Sequence, residues 1–209
     1  MSPETSNLPI TVAITGASGV QYGLRLLECL LAADRAVHLM VSKAAHRVID
    51  IETDLSLPAN PQALAGALHA HFGCEPQRLH CWGREDWLAP VASGSAPSGG
   101  MVVCPCSTGT LAALAGGASN NLIERAADVA LKERRRLILV PRETPYSQIH
   151  LENMLRLTRA GAVVLPASPG FYQRPESIEA MVDFIVARIL DQLGVPQRLV
   201  PAWGYSRPA

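Results

Sequence analysis

Two groups of residues in this chain have types and spacings that could do chemistry. The first is Thr15-Gly16-Ala17-Ser18-Gly19, set between an apolar run and a leucine-rich amphipathic stretch. A strand-to-helix turn of this make leaves the helix's first N–H groups free, and small residues let an anion approach the backbone closely. The Ser18 hydroxyl adds a donor. Ser42 and Ser107-Thr108-Gly109-Thr110 follow two further apolar runs and add neutral donors beside the same place. The second group is Arg142-Glu143, just past the apolar run 137–140 and ahead of Thr144-Pro145. An arginine there can clamp a phosphate through paired charge-assisted hydrogen bonds, each worth about 1.5–3 kcal/mol. The adjacent carboxylate is a candidate acid or base. Beyond the next apolar run, Phe171-Tyr172-Gln173-Arg174 offers an aromatic hydroxyl and a second arginine.

The glycine spacing favours a mononucleotide over a dinucleotide. Through Gly23 it reads G-x-x-G-x-x-x-G, which misses the fingerprint G-x-G-x-x-G. The second apolar run ends Val41-Ser42-Lys43 with no acid for a ribose, and neither Lys43 nor Lys132 has a tyrosine four residues before it. No DDxxD cluster is present to clamp a diphosphate through Mg²⁺. His69, His71, Cys74, His80 and Cys81 match no zinc spacing and read as part of an exposed variable insertion, so no metal is expected. Cys104-Pro105-Cys106 reads as a buried strand end, and His46 as a surface helix residue. Arg125, Asp128 and Lys132 share one face of a predicted helix. Arg134, Arg135 and Arg136 close it where cations suit the dipole, so this block by itself reads as a solvated charged face.

The elements that must position these groups alternate regularly. Short apolar runs at 10–15, 37–41, 101–104, 137–140 and 162–166 predict strands, with prolines 105 and 141 as stops. Helical periodicity covers 20–33, 43–51, 107–115, 122–134, 147–160 and 175–193. Continuous apolar strands alternating with helices predict a doubly wound α/β domain on a parallel sheet, helices on both faces. Residues 58–97 break the alternation and hold one predicted helix, 61–71; the tail 195–209 is expected to be extended and docked. At 209 residues the chain is expected to form a single domain, 1–209.

Composition narrows the classes. Eighteen basic residues balance eighteen acidic ones, which excludes a globally charged platform for nucleic acid or anionic lipid. Only 17% of residues are charged and 48% are hydrophobic, which excludes disorder and predicts apolar surface buried between subunits. No run approaches the roughly 18 apolar residues of a membrane span, and the N-terminus does not read as a secretory signal. Five cysteines without a CxxC pair suit a reducing cytoplasm.

Gly16-Ala17-Ser18-Gly19, Ser42-Lys43-Ala44-Ala45, Glu52-Thr53-Asp54, Ser93-Gly94-Ser95, Pro105-Cys106-Ser107, the block 125–145 and Phe171-Tyr172-Gln173-Arg174-Pro175 together resemble the flavin prenyltransferases of the UbiX family, over about residues 10–195. The block LKERRxLxLVxRETP is the most specific part. The resemblance implies a Rossmann-like or flavodoxin-like subunit in a cytoplasmic homo-oligomer, commonly a dodecamer. It implies transfer of a dimethylallyl group from dimethylallyl phosphate to N5 and C6 of reduced FMN without a metal. The prenylated FMN would serve UbiD-type decarboxylases in the context of ubiquinone biosynthesis. By matching motif positions, Gly16, Ala17, Ser18, Ser42, Ser107, Thr108, Gly109, Thr110 and Arg142 would hold FMN. Arg125, Lys132, Tyr172 and Arg188 would hold the prenyl phosphate, some from a neighbouring subunit. Glu52 and Glu143 would flank the reacting centre with Ser18, and Trp203 would close over it. Two other classes compete: an FMN-dependent decarboxylase of related fold, which would want a histidine near the flavin, and an FMN carrier without turnover.

Overall fold

The computed structural model describes residues 8–202 and 204. Six parallel strands form one sheet in the order β3-β2-β1-β4-β5-β6: β1 (Ile10–Ile14), β2 (Val37–Val41), β3 (Leu79–Trp82), β4 (Met101–Cys106), β5 (Leu137–Pro141) and β6 (Val163–Val164). The helices are α1 (Val20–Ala32), α2 (Lys43–Glu52), α3 (Pro61–Phe72), α4 (Thr108–Ala115), α5 (Leu122–Lys132), α6 (Gln148–Arg159) and α7 (Ile178–Leu193). This is the expected doubly wound arrangement.

The strand pleat sorts the core into two layers. Ile10, Val12 and Ile14 of β1 pack with Leu26, Leu27 and Leu30 of α1 and with Ile185, Val186 and Ile189 of α7. Ala13, pointing the other way, joins Met101, Val103, Leu137 and Leu139 against Leu111, Ala126, Ala130 and Leu157 of α4, α5 and α6. Side chains alternate across a strand, so a central strand buried on both faces must be apolar at every position. All five residues of β1 and of β5 are buried.

Helix starts follow local chemistry. Ser42, Asn60, Ser107, Asn121, Ser147 and Ser177 each accept a backbone N–H from the first turn of the helix they open, contributing about 1 kcal/mol apiece.

Three sequence expectations need correction. Pro105 and Pro141 do not stop their strands, since β4 runs to Cys106 and β5 to Pro141. The β4–β5 register shifts between Val103 and Cys106, so the N–H that Pro105 lacks is not missed by the ladder. Residues 58–97 are not an exposed insertion: Leu79 of β3 and Leu64 and Leu68 of α3 are buried, and β3 extends the sheet beyond β2. The helix at 175–193 begins only at Ile178, capped by Ser177. The apolar surplus shows on α6, where Ile149, Leu151 and Leu155 are half or more exposed. Among the described residues no helix is long and apolar enough to cross a membrane.

Candidate functional site

The chain leaves β1 for β2 on one side and later enters β4 on the other. The crevice beyond the carboxyl ends of β1 and β4 is therefore a topological switch point, where open α/β sheets bind ligands. Thr15 closes this crevice at its base. Its hydroxyl donates to the Pro105 carbonyl at 2.8 Å and accepts from the Ser107 N–H at 2.8 Å, locking the end of β1 to the end of β4. The sequence places Thr15 at the head of the glycine turn but carries no sign of this lock to β4. A Cβ at Gly16 would stand 2.4 Å from the Ala44 Cβ, so only glycine lets the first turn lie on the start of α2. Gly19 takes φ 98°, a left-handed conformation that glycine adopts freely.

The serines expected as ligand donors are first of all helix caps. Ser42 Oγ accepts from the Ala45 N–H at 3.1 Å. Ser107 Oγ accepts from the Thr110 N–H at 3.2 Å and donates to Thr110 Oγ1 at 3.0 Å. The Ser42 and Thr110 hydroxyl oxygens act here as acceptors, which leaves each with a proton to donate. Gly16, Ser42, Ser107 and Thr110 line one hollow of about 590 Å³ together with Lys43, Arg47 and Arg84.

Glu52 changes the picture of the glycine turn. Its Oε2 accepts from the Gly19 N–H at 2.8 Å and the Val20 N–H at 3.2 Å. The anion at the start of α1 is thus the protein's own carboxylate rather than a ligand phosphate, and the dipole argument is satisfied internally. Beside it, Arg142 donates from Nε to the Ser18 carbonyl at 3.2 Å, and its Cγ lies 4.0 Å from where a Gly19 Cβ would stand. The structure therefore joins Ser18, Glu52 and Arg142 in one patch. Arg142 does not line the hollow of Ser42 and Thr110. Glu143 follows it with Oε1 accepting from the Thr144 N–H at 3.1 Å. Burial raises the Tyr146 phenol above its ordinary range, and the nearby Glu143 carboxylate adds to the rise.

Other expected residues are not brought together within one chain. Arg125 donates to the Ala92 carbonyl at 3.0 Å and pairs with Asp128 at 2.9 Å. Lys132, at the far end of α5, pairs with Glu133, and Arg188 pairs with Asp191 at 2.7 Å. None of the three lines the hollow. Tyr172 is 59% exposed, with its ring edge-on to Phe184 at 5.8 Å. Trp203 lies outside the described residues.

A cavity of about 290 Å³ adjoins the hollow, sharing Ser42, Lys43, Arg84 and Thr110 with it. Met40, Trp82, Asn121 and Glu124 also line it, and so does His46, which corrects its reading as a surface residue. Leu64 of α3 and Trp82 of β3 wall the same space, and the His46 Nδ1 is buried with no hydrogen-bond partner. Trp82 donates from Nε1 to His38 Nδ1 at 3.0 Å. Burial, helped by His80, lowers the His38 imidazole to about 4, which suits its role as a neutral acceptor. Cys104 and Cys106 are fully buried; burial pushes both thiols up, that of Cys106 to about 12, so neither is a poised nucleophile.

Comparison with known proteins agrees with this geometry. A family model described as "Flavoprotein" matches residues 1–190. The flavin prenyltransferase UbiX of Pseudomonas aeruginosa is 61% identical over 195 residues, covering 93% of each chain. The crystal structure of AnUbiX in complex with FMN and dimethylallyl pyrophosphate superposes with a TM-score of 0.84 at 41% identity, covering 96% of this chain and 100% of that one. A dodecameric FMN-dependent UbiX-like decarboxylase from Escherichia coli O157:H7 gives a TM-score of 0.79 at 40% identity, covering 90% and 95%. Sequence similarity and fold converge, and the chain belongs to the flavoprotein family, among the flavin prenyltransferases of the UbiX type.

Proposed function

We propose that this protein transfers the dimethylallyl group of dimethylallyl phosphate to N5 and C6 of reduced FMN, without a metal ion. The observation that carries the reading is the direct bond from Arg142 to the Ser18 carbonyl, which joins the glycine turn to the Arg142-Glu143 pair at one rim. The residues fit a flavin mononucleotide: Gly16 lines the hollow, and the Ser42 and Thr110 hydroxyls keep a donor each. Gly16, Ala17, Ser42, Ser107, Thr108, Gly109 and Thr110 hold it on one side, and Ser18 and Arg142 on the other. When bound, reduced FMN supplies the nucleophilic N5 and C6.

The chain's own residues then act on the prenyl donor. The allylic C–O bond breaks with its electron pair leaving on the phosphate. Prepositioned cations lower that barrier because charge develops on oxygens they already face. Arg125, Lys132 and Arg188 take this role and the Tyr172 hydroxyl adds a neutral donor, some of the four coming from neighbouring copies, a reading supported by their positions outside the hollow of their own chain. The exposed Ile149, Leu151 and Leu155 suit burial in such a homo-oligomer. Glu52 holds the start of α1 and with it Ser18. Joining the five-carbon unit at both positions releases the protons of N5–H and C6–H, while one former alkene carbon gains a proton as the ring closes, so that one proton is released net. Glu143 is the group placed to relay these protons, with the departing phosphate as the final acceptor of the net one. The prenylated flavin is consumed by a UbiD-type decarboxylase in the cytoplasm.

Replacing Glu143 by Gln tests the reading. FMN stoichiometry is expected to stay intact while transfer, followed by the mass of the released flavin, falls at least about 100-fold. An unchanged rate would overturn the role of Glu143, and FMN retention with no transfer by the wild-type protein would identify a carrier. A second reading, an FMN-dependent decarboxylase, is favoured by one observation: His46 lines the cavity next to the hollow with its Nδ1 unpartnered. His46→Gln should abolish such a decarboxylation and leave prenyl transfer within about twofold of wild type.

A further inference from the structure

The three cations assigned to the prenyl phosphate each have a carboxylate partner: Arg125 has Asp128, Lys132 has Glu133 and Arg188 has Asp191. Among the described residues only Asp191, of those three carboxylates, accepts a second side chain. Its Oδ2 accepts from Arg188 Nη1 at 2.7 Å, and its Oδ1 accepts from Gln197 Nε2 at 3.3 Å. Gln197 is itself held by the chain just past α7. Its Oε1 accepts from the Leu199 N–H at 2.8 Å and the Val200 N–H at 3.1 Å, and its Nε2 also donates to the Val200 carbonyl at 3.2 Å. Two backbone donors on one oxygen fix the amide with its nitrogen toward Asp191. Leu199 and the buried Val195 pack on the core, so the turn is anchored. The Pro201 carbonyl then accepts from Gln173 Nε2 at 3.3 Å, which brings the residue beside Tyr172 to the same segment.

An arginine on a helix surface samples many rotamers, and fixing it on a ligand costs about 3- to 10-fold in affinity. A bond made to Nη1 beforehand removes most of that cost. It also leaves Nε and Nη2, which make no hydrogen bond among the described residues. Those two N–H groups are parallel and match two phosphate oxygens. The Asp191 charge has the opposite effect, since it repels an incoming phosphate. We propose that Asp191 and Gln197 are positioning residues for prenyl transfer, holding Arg188 with its Nε–Nη2 edge open to the phosphate of the prenyl donor. The inference rests on the reading that Arg188 binds that phosphate. It gives the segment 195–201 a task in the reaction that requires none of its residues to touch the substrate.

Steady-state prenyl transfer by the full-length protein, with dimethylallyl phosphate varied at saturating reduced FMN, tests this. In Asp191→Ala the KM for dimethylallyl phosphate is expected to rise about 3- to 10-fold, with kcat and FMN stoichiometry within about twofold of wild type. Gln197→Glu keeps the oxygen that the Leu199 and Val200 N–H groups need and turns a repelling carboxylate toward Asp191. It should raise KM similarly without loosening the turn, and it decides the matter if Asp191→Ala does not fold. In an Arg188→Gln background neither substitution should change KM by more than about twofold. A KM that falls in Asp191→Ala would mean that repulsion is all this carboxylate does, and an unchanged KM would mean a purely structural role. Either result, or an undiminished effect without Arg188, would overturn the inference alone. An unchanged KM in Arg188→Gln itself would overturn the assignment of Arg188 to the phosphate, and the inference with it.

Discussion

The β1–β4–β5 side of the rim and the β2–β3 side meet at Ser42 and Thr110 but are built differently. On the first side, Thr15 bonds to the end of β4, and Glu52 and Arg142 bond to the backbone of the glycine turn. On the second, Arg47, Arg84, Trp82 and His46 surround a hollow and a cavity, and the Trp82 indole donates to His38. The first side is suited to holding reacting groups in fixed geometry. The second is suited to receiving part of a ligand. A chain that joins an allyl fragment to a ring needs both, because orientation accelerates only what has first been bound.

If the first side is the rigid one, crowding it should cost most. A Cβ at Gly23 would stand 2.4 Å from the Cys104 carbonyl oxygen and 3.2 Å from two Ile14 side-chain carbons. Gly23→Ala is expected to destabilise by about 3 kcal/mol, since the obstacle is backbone, which lowers the melting temperature by about 6–12 °C. A loss under about 1 kcal/mol would show that α1 can lift off β4 and that this side is not rigid.

Arg142→Ala sharpens the division of the ligand between the sides. It should weaken FMN and riboflavin alike, by about 30-fold or roughly 2 kcal/mol, with the melting temperature little changed. A loss confined to FMN would place the phosphate on the β5 side and erase the distinction.

The β2–β3 side should reveal itself through pH. The His38 imidazole is lowered from 6.5 to about 4 in the folded protein, by burial and by His80. Between those values the unfolded chain binds the extra proton, so stability falls as pH drops from about 6.5 to about 4 and levels off below. The shift corresponds to at most about 3 kcal/mol, and partial exposure of the ring brings it nearer 1–2 kcal/mol. His38→Gln keeps an acceptor for Trp82 and removes the titration. Melting curves across that window should show a shallower pH slope in the variant; parallel slopes would mean that the folded ring protonates freely.

The smallest expected effect has the opposite sign. Gly66, within α3, has nothing within 4 Å of an added Cβ. Gly66→Ala should stabilise by about 0.5–1 kcal/mol through helix propensity alone, and destabilisation would mean that α3 packs against a neighbouring copy there.

What was legible in the sequence divides along the same line. β1, β4 and β5 are central strands, covered on both faces, so each shows as an apolar run, although β4 and β5 continue into the prolines that read as their stops. β3 was missed because an edge strand needs burial from one side only. Leu79 is buried while His80 is exposed, and four residues bracketed by a proline-led turn and a glycine give little periodicity. Without β3, the predicted helix 61–71 has no sheet edge to pack on and nothing encloses His46, which therefore reads as solvent-facing. Ser18, Arg142 and Glu143 are legible as candidates because their spacing relative to strand ends is local. Glu52 acts across 33 positions on the Gly19 N–H, and Arg84 faces Ser107 only after the sheet has formed, so neither interaction has a signature in one dimension. The serines show a further limit: residue type announced a donor, whereas the structure uses Ser42 and Ser107 first as caps.

The central claim is that cationic side chains alone draw the phosphate from an allyl fragment held beside the flavin. Incubating the protein with reduced FMN and dimethylallyl phosphate in EDTA, then weighing the released flavin, tests it most directly. The account predicts a flavin heavier by one five-carbon unit, with one inorganic phosphate set free per transfer. Unmodified FMN in EDTA, with product appearing only when Mg²⁺ is restored, would contradict it.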